Sequence, residues 1–235
     1  MSGSGGGAVP WILAIDTGTS EIVVAAGDPA GGLVDVLSEP AGHRHGERLL
    51  AVVEQLLART GLERRGLEGI VVGTGPGAFT GLRVGLATAK TLAHGMSVRL
   101  VGIGTGAALV DAAVRERGAG AAGGPIVLFL PAGPRDRVIL APGASPRILG
   151  DEAELASFDP SGIVAVDLAD RAAPDAVARG RAAHRRLGES LLVLGAERLR
   201  AGFADDPEQL VPEYVTLPRG VAASTGAIEW SNDPR

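Results

Sequence analysis

Apolar residues fall first into three short runs, Trp11 to Ile15, Ile22 to Ala26 and Leu33 to Leu37, with Asp16 closing the first and turn residues Gly27 to Gly32 splitting the last two. Runs of this length separated by turn chemistry predict three consecutive strands in an antiparallel meander. The period then changes. From Glu47 to Arg59 the apolar positions are Leu49, Leu50, Val53, Leu56 and Leu57, while Glu47, Arg48, Glu54 and Arg59 lie elsewhere, which predicts an amphipathic helix. A strand ending near Val72 follows, and Gly75-Pro76-Gly77 breaks it before a helix from Phe79 to His94. A strand at Val98 to Ile103 and an alanine-rich helix at Thr105 to Arg117 complete the first half.

The run Gly118 to Gly124 is small and flexible in composition and reads as a lobe boundary. Beyond it come strands at Ile126 to Leu130 and Val138 to Leu140, a weak segment around Ile148, a strand at Ile163 to Val166, and helices near 171 to 180 and 184 to 201. Strands alternating with helices predict an α/β fold of mixed sheets flanked by helices. The expected division is a flexible leader at 1–10, a first lobe at 11–118, a smaller divergent lobe at 119–220 and a tail at 221–235.

The helix from Phe79 carries one unusual feature. Gly81, Gly85, Ala89 and Ala93 recur every four residues and fall close to one face. Glycine costs a helix about 1 kcal/mol against alanine, so two on one stripe predict that another backbone packs closely there, from this chain or from another protein.

Composition narrows the chemistry. The 235 residues are 46% hydrophobic, enough for a sizeable core. No cysteine is present, which removes thiolate catalysis, disulfides and sulfur-ligated metals. Neither a signal peptide nor a membrane span is readable near the start, and a cytoplasmic location is expected on that ground. The net charge is −5, and 21 of the 22 basic residues are arginine, Lys90 being the exception. An acidic chain makes a poor stand-alone nucleic-acid binder. Arg179, Arg181, Arg185 and Arg186 form one local cluster, read as a solvated helix face.

Asp16-Thr17-Gly18-Thr19-Ser20 sits where the first strand turns into the second. An aspartate, a glycine and hydroxyls could hold a metal ion and let backbone N–H groups approach phosphates, although as a plain hairpin turn the same residues would be unremarkable. An aspartic-protease reading needs a second Asp-Thr-Gly or Asp-Ser-Gly, and none exists. A phosphate loop ending in Lys90-Thr91 would need glycine at the positions of Val84 and Ala89. Histidine occurs at 43, 45, 94 and 184, so no helical His-x-x-x-His pair exists, and no metal site is expected. No nucleophile, base and orienting group are close in sequence, and no catalytic residue is assigned.

The segments ILAIDTGTS, HGERLL and GTGPGAFTGLRVGLATAKTLA resemble the bacterial tRNA threonylcarbamoyladenosine biosynthesis family TsaB, also called YeaZ. The similarity runs from about Trp11 to Arg117. At the other end, Pro212-Glu213-Tyr214 matches part of the family's Pro-x-Tyr-Leu-Arg, with Val215 and Thr216 in the last two places. The resemblance implies an actin-like, ribonuclease H-like fold of two lobes. It also implies a noncatalytic role beside a homologous transferase, TsaD, and an ATPase, TsaE, with tRNA met only through that complex and a homodimer when the chain is alone. Where the family shows Asp-x-Arg-x-x-Glu-x-Tyr, this chain has Pro131, Gly133, Asp136 and Val138.

Two expectations about sites follow from the resemblance. Leu49, Leu50, Val53 and Leu57, with Phe79, Gly81, Gly85 and Ala89, would form the partner-binding surface. Asp16, Thr17, Gly18 and Thr19 would be a vestigial nucleotide site, with residual ATP or ADP and Mg the only cofactor in view. The competing expectation is a small ATP-dependent kinase or ATPase that uses Asp16 and Thr17.

Overall fold

The computed structural model describes residues 8–41, 45–118, 120, 122–133, 136–141 and 143–215. Residues 1–7 of the expected leader, His43 and the expected tail at 221–235 lie outside them. Strands β1 (Trp11–Asp16), β2 (Glu21–Gly27) and β3 (Leu33–Pro40) form the expected antiparallel meander. Strands β4 (Leu67–Gly73) and β5 (Arg99–Ile103) then add in parallel on the other side of β1, giving the order β3-β2-β1-β4-β5. Both faces of this sheet are covered, which is why its strands read as unbroken apolar runs. Leu13, Ile15, Val24, Ile70 and Val72 point to one side, where α1 (His45–Thr60) and α2 (Phe79–Met96) lie. Ile12, Ala14, Val23, Val71 and Val101 point to the other, toward α3 (Thr105–Arg117).

The second sheet has the order β8-β7-β6-β9, built from β6 (Val127–Ala132), β7 (Asp136–Leu140), β8 (Arg147–Ile148) and β9 (Ile163–Ala165). A short helix α4 (Glu152–Ala156) and the single turn of 3₁₀ helix at Arg64–Gly66 carry too few residues to show a period in the sequence. Helix α5 (Pro174–Arg185) packs on β9, with the Gly180 Cα so close that an added Cβ would collide with the Ala165 carbonyl. Helix α6 (Leu187–Arg200) follows the second sheet in sequence but packs on the first, through Leu191, Leu192, Ala196 and Leu199. The core of α3 and α6 also takes in Leu128, Leu130 and Val164, so one apolar cluster runs between the two sheets.

The small-residue face of α2 is turned inward. Thr17, in the β1–β2 turn, donates its hydroxyl to the Gly81 carbonyl at 2.7 Å, and a Cβ added to Gly85 would run into the same hydroxyl oxygen. Ala89 and Ala93 are buried farther along, against the first sheet. The close neighbour of the glycines therefore belongs to this chain, and at Gly85 it is the Thr17 side chain rather than a backbone. This corrects the expected partner surface: Gly81, Gly85, Ala89, Leu49 and Val53 are spent inside the fold, Leu57 and Phe79 are half-buried, and Leu50 alone of the eight is exposed, at 48%.

Gly85→Ala is expected to destabilise the protein by roughly 1–3 kcal/mol through overpacking, despite the better helix propensity of alanine. Combined with Thr17→Ala, which clears the hydroxyl, the loss in urea unfolding should fall short of the sum of the single losses by about 1 kcal/mol. Simple additivity would show that Thr17 and Gly85 do not touch.

Candidate functional site

The β1–β2 turn is where most buried polar groups of the first lobe meet. Asp16 ends β1 with its carboxylate fully buried. Its Oδ1 accepts the Gly18 N–H at 2.8 Å and its Oδ2 accepts the Thr105 hydroxyl at 2.6 Å. Thr105, at the start of α3, in turn accepts the Gly75 N–H at 3.1 Å. Gly73 is obligatory beside them, because a Cβ there would overlap the Asp16 carboxylate. The Gly18 carbonyl accepts the Ala78 N–H at 2.7 Å, which ties the residue preceding α2 to the turn.

The far side of the turn reaches the second lobe. The Thr19 hydroxyl lies 2.9 Å from His184 Nε2, and the Ser20 N–H donates to Asp167 Oδ2 at 2.7 Å. Asp167 holds a left-handed backbone, φ 56°, at the end of the β9 segment, with the Ser20 hydroxyl on its other oxygen. The sequence gives no short-range sign of a hydroxyl and imidazole pair, and the fold makes one across 165 positions. Glu21 Oε2 stands 3.7 Å from His184 Nδ1, beyond hydrogen-bond reach, and the Thr19 hydroxyl is 3% exposed and also bonds the Glu21 carbonyl. A buried hydroxyl without an oriented base is a structural tie, not a nucleophile.

Between the lobes the turn borders a cleft of about 580 Å³. Gly18, Thr19 and Ser20 form one wall; Leu130, Pro131, Ala132, Gly133 and Val138 of the β6–β7 hairpin face them. Among the described residues, Asp167 is the one ionisable side chain on it besides the Tyr214 phenol. Of the four motif positions noted above, Pro131, Gly133 and Val138 line the cleft and Asp136 does not. The structure thus gathers Asp16, Thr17, Gly18 and Thr19 in one place, with Asp16 and Thr17 facing partners inside the fold. Among the described residues no three histidine or acidic side chains are grouped to hold a metal ion.

The segment 210–215 straps this region. The Glu213 N–H donates to the Thr74 carbonyl at 2.7 Å, and the Tyr214 ring packs on Phe79 with centroids 5.0 Å apart. Arg83 lies over Phe79, 3.9 Å from its centroid, and donates Nε–H to the Tyr214 hydroxyl at 3.0 Å. Burial raises the Glu213 carboxyl above its ordinary value. The Pro-Glu-Tyr motif pointed to the strap, whereas nothing in the spacing pointed to Arg83.

Burial likewise raises the Asp16 carboxyl above its ordinary 3.8, against the opposing hydrogen bonds from Thr105 and Gly18. The native state then keeps its proton to higher pH than the unfolded chain, so this group's contribution to stability falls as pH climbs through the interval above 3.8. Urea titrations from about pH 4 to about pH 7 should show that decline, and Asp16→Asn should flatten it. An unchanged slope in the variant would place the titration elsewhere.

A family profile described as "TsaD: tRNA N6-adenosine threonylcarbamoyltransferase" matches residues 20–159. The tRNA threonylcarbamoyladenosine biosynthesis protein TsaB of Escherichia coli is 34% identical over 108 residues, 46% of this chain and 46% of that protein. TsaB of Haemophilus influenzae is 34% identical over 102 residues, 43% of this chain and 42% of its own length. The match therefore spans less than half the length of these curated relatives. YeaZ from Pseudomonas aeruginosa superposes with a TM-score of 0.63 at 22% identity, covering 87% of this chain and 99% of that structure, a likeness of fold.

Proposed function

Because this chain belongs to the TsaD, tRNA N6-adenosine threonylcarbamoyltransferase, family and is similar within it to the TsaB and YeaZ proteins, we propose that it is a noncatalytic partner of a TsaD subunit in tRNA threonylcarbamoyladenosine biosynthesis. The observation that carries the reading is the state of the Asp16–Thr19 turn. Asp16 and Thr17 direct their side chains to partners within the fold, and the opposing wall is Leu130, Pro131, Ala132, Gly133 and Val138. Among the described residues the lining offers a nucleotide's phosphates no lysine or arginine side chain, although the start of α2 at Ala78 and Phe79 borders it. A scaffold role needs no phosphate-binding cation.

The contact we assign to TsaD is the outer surface of α1 and α2, which pack side by side over the first sheet. Their inner faces are filled by core residues, so the outward positions are what remain. Leu50 is exposed on α1 beside Ala51 and Glu54, and α2 presents Val84 and Ala87 between Arg83 and Thr91. A modest apolar patch with a polar rim suits a heterologous helix pair, and the same patch would serve a two-fold homodimer of the isolated chain. A TsaE-type ATPase would join the pair, and tRNA would be met through the assembly. No described helix is long and apolar enough to cross a membrane, and the cytoplasm is the compartment proposed.

Leu50→Glu places a charge on this surface without touching the core. It is expected to weaken association with TsaD by about 1–3 kcal/mol, roughly 5- to 150-fold in Kd, and to lower threonylcarbamoylation in parallel while the melting temperature holds. Undiminished copurification and activity would remove this face from the interface.

A further inference from the structure

A second cavity, of about 620 Å³, lies between the β2–β3 edge of the first sheet and α5, with Ser20 and Asp167 bordering both it and the interlobe cleft. Its apolar lining comes from both lobes, from Val23 and Val36 on one side and Val166, Leu168 and Val177 on the other. Its charged side chains fall into two groups. The carboxylates are engaged: Asp167 accepts both the N–H and the hydroxyl of Ser20, and Glu21 accepts the Ser38 hydroxyl and lies near His184. The guanidiniums are not. Arg181 and Arg185, one turn apart on α5, both line the cavity, and among the described residues neither has a carboxylate within ion-pair distance.

The other arginines of the cluster behave differently. Arg179 donates to the carbonyls of Ile163 and Pro160, and Arg186 pairs with Glu116 and Glu189. The cluster therefore divides into two arginines that brace the fold and two that face a cavity with an apolar floor. A planar guanidinium pair is suited to an oxyanion, which it binds through two-pronged hydrogen bonds, and the volume lies in the range of sites for small organic molecules.

We propose that this cavity binds a small amphipathic organic anion, with its apolar body on the valine floor and its carboxylate or phosphate group on Arg181 and Arg185. The site is separate from the α1–α2 surface and does not depend on the docking role.

The probe is 1-anilinonaphthalene-8-sulfonate, an aromatic sulfonate of fitting size, titrated into the full chain and followed by fluorescence. Saturable one-to-one binding is expected. Arg181→Ala/Arg185→Ala should weaken it at least tenfold, and Val36→Trp, which fills the floor, should abolish it. The neutral analogue N-phenyl-1-naphthylamine should change less than twofold in the arginine variant. Displacement by octanoate and by octyl phosphate, but not by 1-octanol, should confirm that the anionic group is recognised, and the stronger competitor identifies it as carboxylate or phosphate. Retained binding in the arginine variant, equal displacement by 1-octanol, or loss of the signal in Leu50→Glu instead would overturn the proposal. Both arginines are exposed, so a melting temperature matching that of the unaltered chain accompanies each titration.

Discussion

The buried turn between β1 and β2 is the joint on which the rest of the molecule is assembled. A carboxylate with no access to water is tolerated only where its oxygens are occupied, and Asp16 meets that requirement with the Gly18 N–H and the Thr105 hydroxyl. The second of these contacts places the start of α3 against the end of β1. Thr17 and Gly18 then hold the start of α2 by hydrogen bonds to and from its backbone, and the missing side chain at Gly85 lets that helix come close enough. Thr19 and Ser20 fasten the second lobe through His184 and Asp167. Five consecutive residues thus link three helices and both sheets.

Much of this was legible in the chain. Strands buried on both faces leave continuous apolar runs, so β1, β2, β4 and β5 stand out, and α1, α2 and α3 begin within two residues of the positions their periodicity indicates. The glycine stripe was a sign of close approach, although the group that meets Gly85 is the Thr17 side chain and not a backbone. Spacing along one helix says how near a neighbour comes and nothing of which neighbour it is, so the inward direction of Gly81 and Gly85 was visible only in three dimensions. The same holds for α6, whose leucines mark an apolar face but not the sheet that it covers. Contacts such as Thr19 with His184 or Arg83 with Tyr214 join positions more than a hundred residues apart, and no local pattern encodes them.

The divergence of the second lobe acquires a physical meaning against this joint. The β6–β7 hairpin brings Pro131, Gly133 and Val138 to the cleft. Among the described residues, one wall thus turns Asp16 and Thr17 inward and the other is apolar. The proposed association surface on α1 and α2 lies on the outward faces of helices whose inner faces are filled by the core.

A calorimetric titration of the purified chain with magnesium and ATP tests this account most directly. With Asp16 and Thr17 committed to bonds within the fold, the heat should not exceed that of dilution. Saturable, magnesium-dependent heat that disappears in Asp16→Ala would mean that the turn opens to a nucleotide, and the allocation of its polar groups described above would be wrong.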